Sequence, residues 1–273
     1  AAVRRFATRR LAAGDGPELL CEWISALNDL IAMQVIDLVE GKFELPYVPW
    51  CWMVFGSEGR LEQTLVTDQD NGIVFAADSA VEAAELRLKF LPFAKAVNVA
   101  LDACGFPLCS GDIMAGNPAW CLSLDEWKQC FDDWIAVPKP TALLNATIFF
   151  DFRPLYGHEE LVTKLQAWLL RRTGGNTAFL RAMASVALEQ RPPLAWWRDF
   201  RLDGGKAHPH TLDLKLRGIR LFVDAARVLA LDHGVVATNT VERLRGLRKS
   251  MGMRLPAGEV EAMAAAFYQV QRL

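Results

Sequence analysis

The chain has 273 residues, a formal net charge of −2, and a composition that is 52% hydrophobic and 23% charged. This length allows one large domain or two modest ones, and the composition excludes a disordered chain. The near-neutral balance gives no support for broad electrostatic binding to nucleic acid or to an anionic membrane surface.

The N-terminal stretch is rich in arginine, with Arg4, Arg5, Arg9 and Arg10 ahead of the first acid, Asp15. It does not open on Met, so a fragment cut from a longer protein, starting inside a helix or linker, is expected. Trp23, Leu27, Leu30, Ile31 and Val35 recur at helical spacing and predict a helix over 18–40 that Gly41 stops. Its most apolar part, Leu30 to Val39, is interrupted by Gln34 and Asp37 and is too short to cross a bilayer. Trp50 to Phe55 reads as a buried strand, broken by Gly56-Ser57. Glu58 to Leu65 is polar and rich in helix formers. Asp70 to Phe75 predicts a second strand, 80–103 a long amphipathic helix ending at Gly105, and Phe106 to Cys109 a third strand. Ser123-Leu124-Asp125-Glu126 predicts a capping box, and 146–152 a further strand.

Beyond about residue 155 every periodic segment is helical: 159–172, 177–189, 212–232, 240–250 and 257–272. Gly174-Gly175 and Arg191-Pro192-Pro193 break helices, Gly234 follows His233 as a C-cap, and Asn239 stands as an N-cap. The expected class is α+β, with a helical segment at 1–44, a small mixed-sheet domain at 45–155 and a helical domain at 156–273. The six cysteines form no C-x-x-C pair and no zinc-spaced cluster with histidine, which points to reduced, mostly buried thiols in a cytoplasmic protein.

The stretch from Phe55 to Asn71 carries chemistry. Gly56 has no Cβ, so its backbone can approach a ligand closely. Ser57 adds a hydroxyl and free amides at a helix start, an arrangement suited to phosphate. The chain then returns with Asp68 and Asp70, whose spacing of two on a strand puts both carboxylates on one face. Adjacent carboxylates repel unless a cation lies between them, and Mg²⁺ takes carboxylates together with substrate phosphates. An EF-hand is excluded, because Ile73 and Ser79 stand where Gly and Glu would be needed, and no Gly-Lys-Ser/Thr of a P-loop is present.

Gly56-Ser57-Glu58-Gly59-Arg60-x-Glu62-Gln63-Thr64 and Thr67-Asp68-Gln69-Asp70-Asn71 resemble the signature of a bacterial nucleotidyltransferase family. So do Met114-Ala115-x-Asn117-Pro118-x-Trp120, Phe149-Phe150-Asp151-x-Arg153-Pro154 and Thr211-Leu212-Asp213-Leu214-Lys215-Leu216-Arg217-Gly218. That family is usually found downstream of cyclic-nucleotide-binding and CBS domains. It belongs with the DNA polymerase β-like superfamily and is related to the uridylyltransferase of bacterial nitrogen regulation. The resemblance runs from about residue 20 to the end. It implies a small mixed sheet followed by a helical substrate-binding domain, and Mg²⁺- or Mn²⁺-dependent transfer of a nucleotidyl group from an NTP, in signal transduction. The acceptor, protein or small molecule, does not follow from it.

The superfamily usually employs a third carboxylate. Asp151, in the expected apolar strand, competes for that role with Asp112 in a polar loop, and a salt bridge to Arg153 is the structural alternative for Asp151. Arg60 is expected to contact phosphate or to pair with Glu62 or Glu58. Thr67 belongs to the nucleotide-binding signature. Asn117 hydrogen-bonds base or ribose, or else serves the turn at Pro118. Lys215 and Arg217, near a helix start, need an anionic partner, either Asp213 or a triphosphate reached across a cleft between the two halves. Asp203, Lys206, His208 and His210 read as a polar loop, and Trp196-Trp197 as a core or interdomain contact. The rival to an enzyme is a catalytically silent module that senses a nucleotide and relays its presence to regulatory domains.

Overall fold

The computed structural model describes residues 2–65, 67–189, 210–250 and 256–272. Trp196, Trp197, Asp203, Lys206, His208 and the Arg191-Pro192-Pro193 break lie outside the described residues. The chain divides into two compact units, Ala1–Val137 with Leu144–Leu169, and Pro138–Leu143 with Leu170–Leu273.

In chain order the elements are α1 (Ala2–Ala12), α2 (Pro17–Glu40), β1 (Trp50–Val54), the single turn α3 (Gly56–Gly59) and β2 (Asn71–Phe75). Then come α4 (Ala80–Cys104), β3 (Cys121–Ser123), α5 (Leu124–Ala136), α6 (Pro140–Phe149) and β4 (Arg153–Gly157). The helices α7 (Glu159–Thr173), α8 (Thr177–Glu189), α9 (Arg220–His233), α10 (Thr240–Lys249) and α11 (Ala257–Arg272) complete the chain, with a π-helical turn, Lys215–Ile219, leading into α9.

The first unit is α+β. Its sheet has the order β3-β2-β1-β4, with β1 antiparallel to β2 and β4, and β3 parallel to β2. Both central strands are buried along their whole length, which fits the unbroken apolar run of β1 and the Ile73-Val74-Phe75 half of β2. Ala32, Ile36 and Val39 of α2 join Phe90, Phe93 and Val97 of α4 in one core with Trp50, Trp52, Ile73 and Phe75. By length and composition alone, α2 is a helix apolar enough to cross a membrane, which the sequence reading of Leu30 to Val39 did not anticipate. Ser79 caps α4, Gly105 ends it at φ 103°, and the predicted capping box of Ser123 and Glu126 opens α5.

Three expected elements differ. Phe106 to Cys109 is loop, and the strand beside β2 is β3. The polar run after Ser57 makes only one helical turn, because Leu61 enters the left-handed region at φ 58°. The strand expected over 146–152 is instead the end of α6. Ala142, Ala146 and Phe149 are buried at helical spacing, a period that the apolar run Thr147 to Phe150 conceals. The strand follows at β4, an edge position that tolerates Pro154.

The described helices of the second unit bury Val223, Val241, Ala264 and Phe267 in one cluster and Ala226, Leu244 and Val260 in another. Gly234 closes α9 at φ 67°, and the Asn239 side chain accepts from the amides of Val241 and Glu242 at the start of α10.

Candidate functional site

The antiparallel pairing of β1 and β2 brings the turn after β1 beside the residues that precede β2. Val54 pairs with Asn71, and the Phe55 amide donates to the Asp70 carbonyl at 2.9 Å, extending the ladder by one step. Gly56 then turns at φ 56°, and a Cβ there would lie 3.2 Å from Asp70 Oδ2. Glycine therefore does two things at this position. It adopts the left-handed backbone, and it keeps open the space between the turn and the carboxylate. Gly56→Ala is expected to keep the fold with a melting temperature lower by about 2–4 °C, the equivalent of about 1 kcal/mol. If that space receives a nucleotide phosphate, as the resemblance of the motif implies, nucleotide affinity read by calorimetry is expected to fall at least about tenfold, because the methyl group fills it.

Asp68, Gln69, Asp70 and Asn71 alternate in direction. Gln69 and Asn71 are buried, whereas Asp68 is exposed and Asp70 half-buried. Gln69 Nε2 donates to the carbonyls of Asn98 and Phe106 at 3.0 and 2.8 Å, and Asn98 Nδ2 donates to Gln69 Oε1 and Asn71 Oδ1. The Ala115 amide donates to Asn71 Oδ1 at 2.9 Å. These inward amides anchor the segment, which leaves both aspartates on the outward face. One donor atom from each of Asp68, Asp70 and Cys109 falls within 4.8 Å of the others, and Cys109 Sγ donates to Asp70 Oδ1 at 3.4 Å. Desolvation and the nearby Asp70 push the Cys109 thiol up.

Glu58 sits in the same turn as Gly56 and is 9% exposed. Burial, opposed by Arg153 and reinforced by Asp29, Asp70 and Asp68, pushes its carboxyl from 4.5 up to about 8. The two close carboxylates of Asp68 and Asp70 form an oxygen donor pair that suits a divalent cation. The raised carboxyl also has a consequence for stability. Between 4.5 and about 8 the folded chain holds a proton at Glu58 that the unfolded chain has released, so stability falls as pH rises through that window. The slope is at most about 1.4 kcal/mol per pH unit. Glu58→Gln is expected to flatten it, and in melting curves without divalent cations the variant should gain on the parent from about pH 5 to about pH 8.

Ion pairs behind the turn hold it in place. Arg60 reaches Glu62 and Asp151, each at 2.7 Å. Asp151 is completely buried. Arg153 pairs with Asp29 of α2 at 2.7 Å and donates through Nε to the Glu58 carbonyl at 3.1 Å. Asn28 of α2 donates to Gln63 at 3.2 Å. Gly59 has no room for a side chain, since a Cβ there would lie 1.9 Å from the Asp151 carbonyl oxygen.

The remaining expected residues are placed as follows. Ser57 is half-buried next to Gly56, and Thr67 donates to the Asp68 carbonyl at 3.3 Å. Asn117 is engaged at both ends: its Oδ1 accepts from the Ala119 amide, and its Nδ2 donates to the carbonyl and carboxylate of Asp112. Asp112 is exposed and stands at φ 53°. Lys215 and Arg217 belong to the second unit, on the π-helical turn, where Asp213 Oδ1 accepts from the Leu216 amide. Cys109 and Glu58 were missed as candidates. Glu58 lies inside the Gly-Ser motif and could have been flagged there. Cys109 carries no local signal, because it meets Asp70 only through folding.

Two family models match the chain. One, described as Putative nucleotidyltransferase DUF294, covers residues 1–141, and the other, described as Putative nucleotidyltransferase substrate binding domain, covers residues 177–273. No curated protein matches the chain.

Proposed function

The chain belongs to the nucleotidyltransferase family described as DUF294, and from that premise we propose that it transfers NMP from an NTP to a hydroxyl acceptor with the aid of Mg²⁺ or Mn²⁺. The observation that carries this reading is the adjacency of the Gly56 turn to the Asp70 carboxylate. A backbone open to phosphate and a pair of acids open to a cation occupy one place. In the reaction the acceptor oxygen bonds to the α-phosphorus, the bond from that phosphorus to the bridging oxygen breaks, and pyrophosphate leaves. Gly56 and Ser57 hold the β- and γ-phosphates and align them for in-line displacement. Asp68 and Asp70 would hold the divalent cation, which would supply charge neutralisation on the phosphate oxygens. Arg60 and Asp151 act behind the turn, where their ion pair holds its shape, and Thr67 and Asn117 border the nucleotide. We assign acceptor recognition to the second unit, with Lys215 and Arg217 as its candidate anion contacts. The helical family model, described as substrate binding, supports that assignment.

The location is read as cytoplasmic and the role as signal transduction, with regulatory domains upstream. One observation favours the alternative of a silent nucleotide sensor: Asp151, the acid expected to complete the site, is committed to Arg60. Incubation with labelled NTP separates the two readings. Pyrophosphate release is expected, whereas metal-dependent binding without any release would assign the chain to sensing.

A further inference from the structure

The helix α2 grips the core with one side and leaves the other in water. Its inner side carries Ala32, Ile36 and Val39 into the sheet core, and Asn28 and Asp29 reach Gln63 and Arg153 behind the turn. Its outer side presents Leu19, Trp23, Ala26, Leu30 and Met33, all exposed, with Leu30 at 63%. These positions, continued by Asp37, alternate in steps of four and three, the spacing of a coiled-coil seam. A contiguous apolar stripe on a surface marks an interaction site. We propose that this seam pairs two copies of the chain, α2 against α2, antiparallel about a two-fold axis at Asn28.

The seam is self-complementary in that register. Trp23 of one copy meets the partner's Met33, whose flexible side chain adapts to the ring, and the small Ala26 meets the partner's Leu30. The two-fold axis makes each of these contacts twice. Leu27, half-buried beside the axis, adds apolar area along the flank. From Leu19 to Asp37 the seam runs about 27 Å, at 1.5 Å per residue.

Charge fixes the direction. α1 contains Arg4, Arg5, Arg9 and Arg10 and no acid, whereas α2 contains Glu18, Glu22, Asp29, Asp37 and Glu40 and no Lys or Arg. α1 lies beside the start of the seam, where Phe6 packs edge-on to Trp23 at 6.0 Å, and its Arg5 and Arg9 are exposed. Exposed Asp37 and half-buried Glu40 stand at the far end. Antiparallel pairing sets the basic end of each copy against the acidic end of the other, and parallel pairing would set like against like. Asp29, next to the axis, is neutralised within its own copy by Arg153 at 2.7 Å.

Sedimentation of the full chain tests the pairing, and the parent is expected to be a dimer. Leu30→Asp, at an exposed position, should raise the dimer dissociation constant at least about a hundredfold, because the lesion occurs twice across the axis. Leu88→Asp, on the exposed side of α4, should leave it unchanged, with the folding of both variants checked by circular dichroism. Arg9→Glu and Asp37→Arg should each weaken the dimer about threefold, and combining them should restore it. A parent that stays monomeric at the highest soluble concentration, or a dimer that survives Leu30→Asp, overturns the proposal. A monomeric parent that sediments with anionic vesicles overturns it as well and assigns the seam to a membrane. Nucleotide titration reads the proposed function separately, so either reading can fail alone.

Discussion

Replacing Asp151 by alanine is expected to destabilise the fold by about 3–5 kcal/mol, the range for removing one partner of a buried ion pair. Asp151 is completely buried, and its partner Arg60 has a side chain only 11% exposed. Arg60 would keep Glu62, at 2.7 Å, but would lose the second acid that offsets its desolvation. The loss spreads into the site, because Arg60 follows directly on the turn of Gly56–Gly59 and Gly59 packs against the Asp151 carbonyl. Urea unfolding measures the effect. Asp151→Asn should cost less, since the amide can still accept one bond from the guanidinium while the charge is lost. A variant with parental stability would mean that the pair does not hold the turn.

Under the proposed function, Asp70→Asn is expected to lower pyrophosphate release at least about a thousandfold, which corresponds to about 4 kcal/mol of transition-state stabilisation. The side chain lies against the Gly56 turn on one side and Cys109 on the other, where the proposed phosphate and cation sites would meet. It is half-buried on the outward face of its segment, and the buried anchors of that segment are Gln69 and Asn71. The fold is therefore expected to survive, with circular dichroism as the check. A loss confined to KM, with kcat unchanged, would place Asp70 in nucleotide binding alone.

What the sequence disclosed follows from how local each signal is. Gly56, Ser57, Asp68 and Asp70 lie within one short stretch, and reading that stretch as strand, tight turn, helix and strand already puts both acids on one face opposite the turn. The helices of the second unit were legible from their stops and caps, as Gly234 and Asn239 illustrate. The partner of Asp151 was not legible: a salt bridge to Arg153 was weighed, and the acid instead meets Arg60, 91 residues away. Cys109 is likewise 39 residues from Asp70 and is brought there by a loop with no periodic pattern. α6 was misread because an aromatic and β-branched run fits a buried strand as well as a buried helix. The alternation at Asp68 to Asn71 worked for a physical reason. Two buried amides, Gln69 and Asn71, need inward partners, and period two then sends the acids outward.

The most direct measurement is isothermal titration of the whole chain with each of the four NTPs, with Mg²⁺ and again with the cation chelated. At least one nucleotide should bind only when the cation is present, and the Asp68→Asn/Asp70→Asn variant, folded by circular dichroism, should bind none. Binding that ignores both the cation and the two aspartates, or the absence of binding to any nucleotide, would contradict the account.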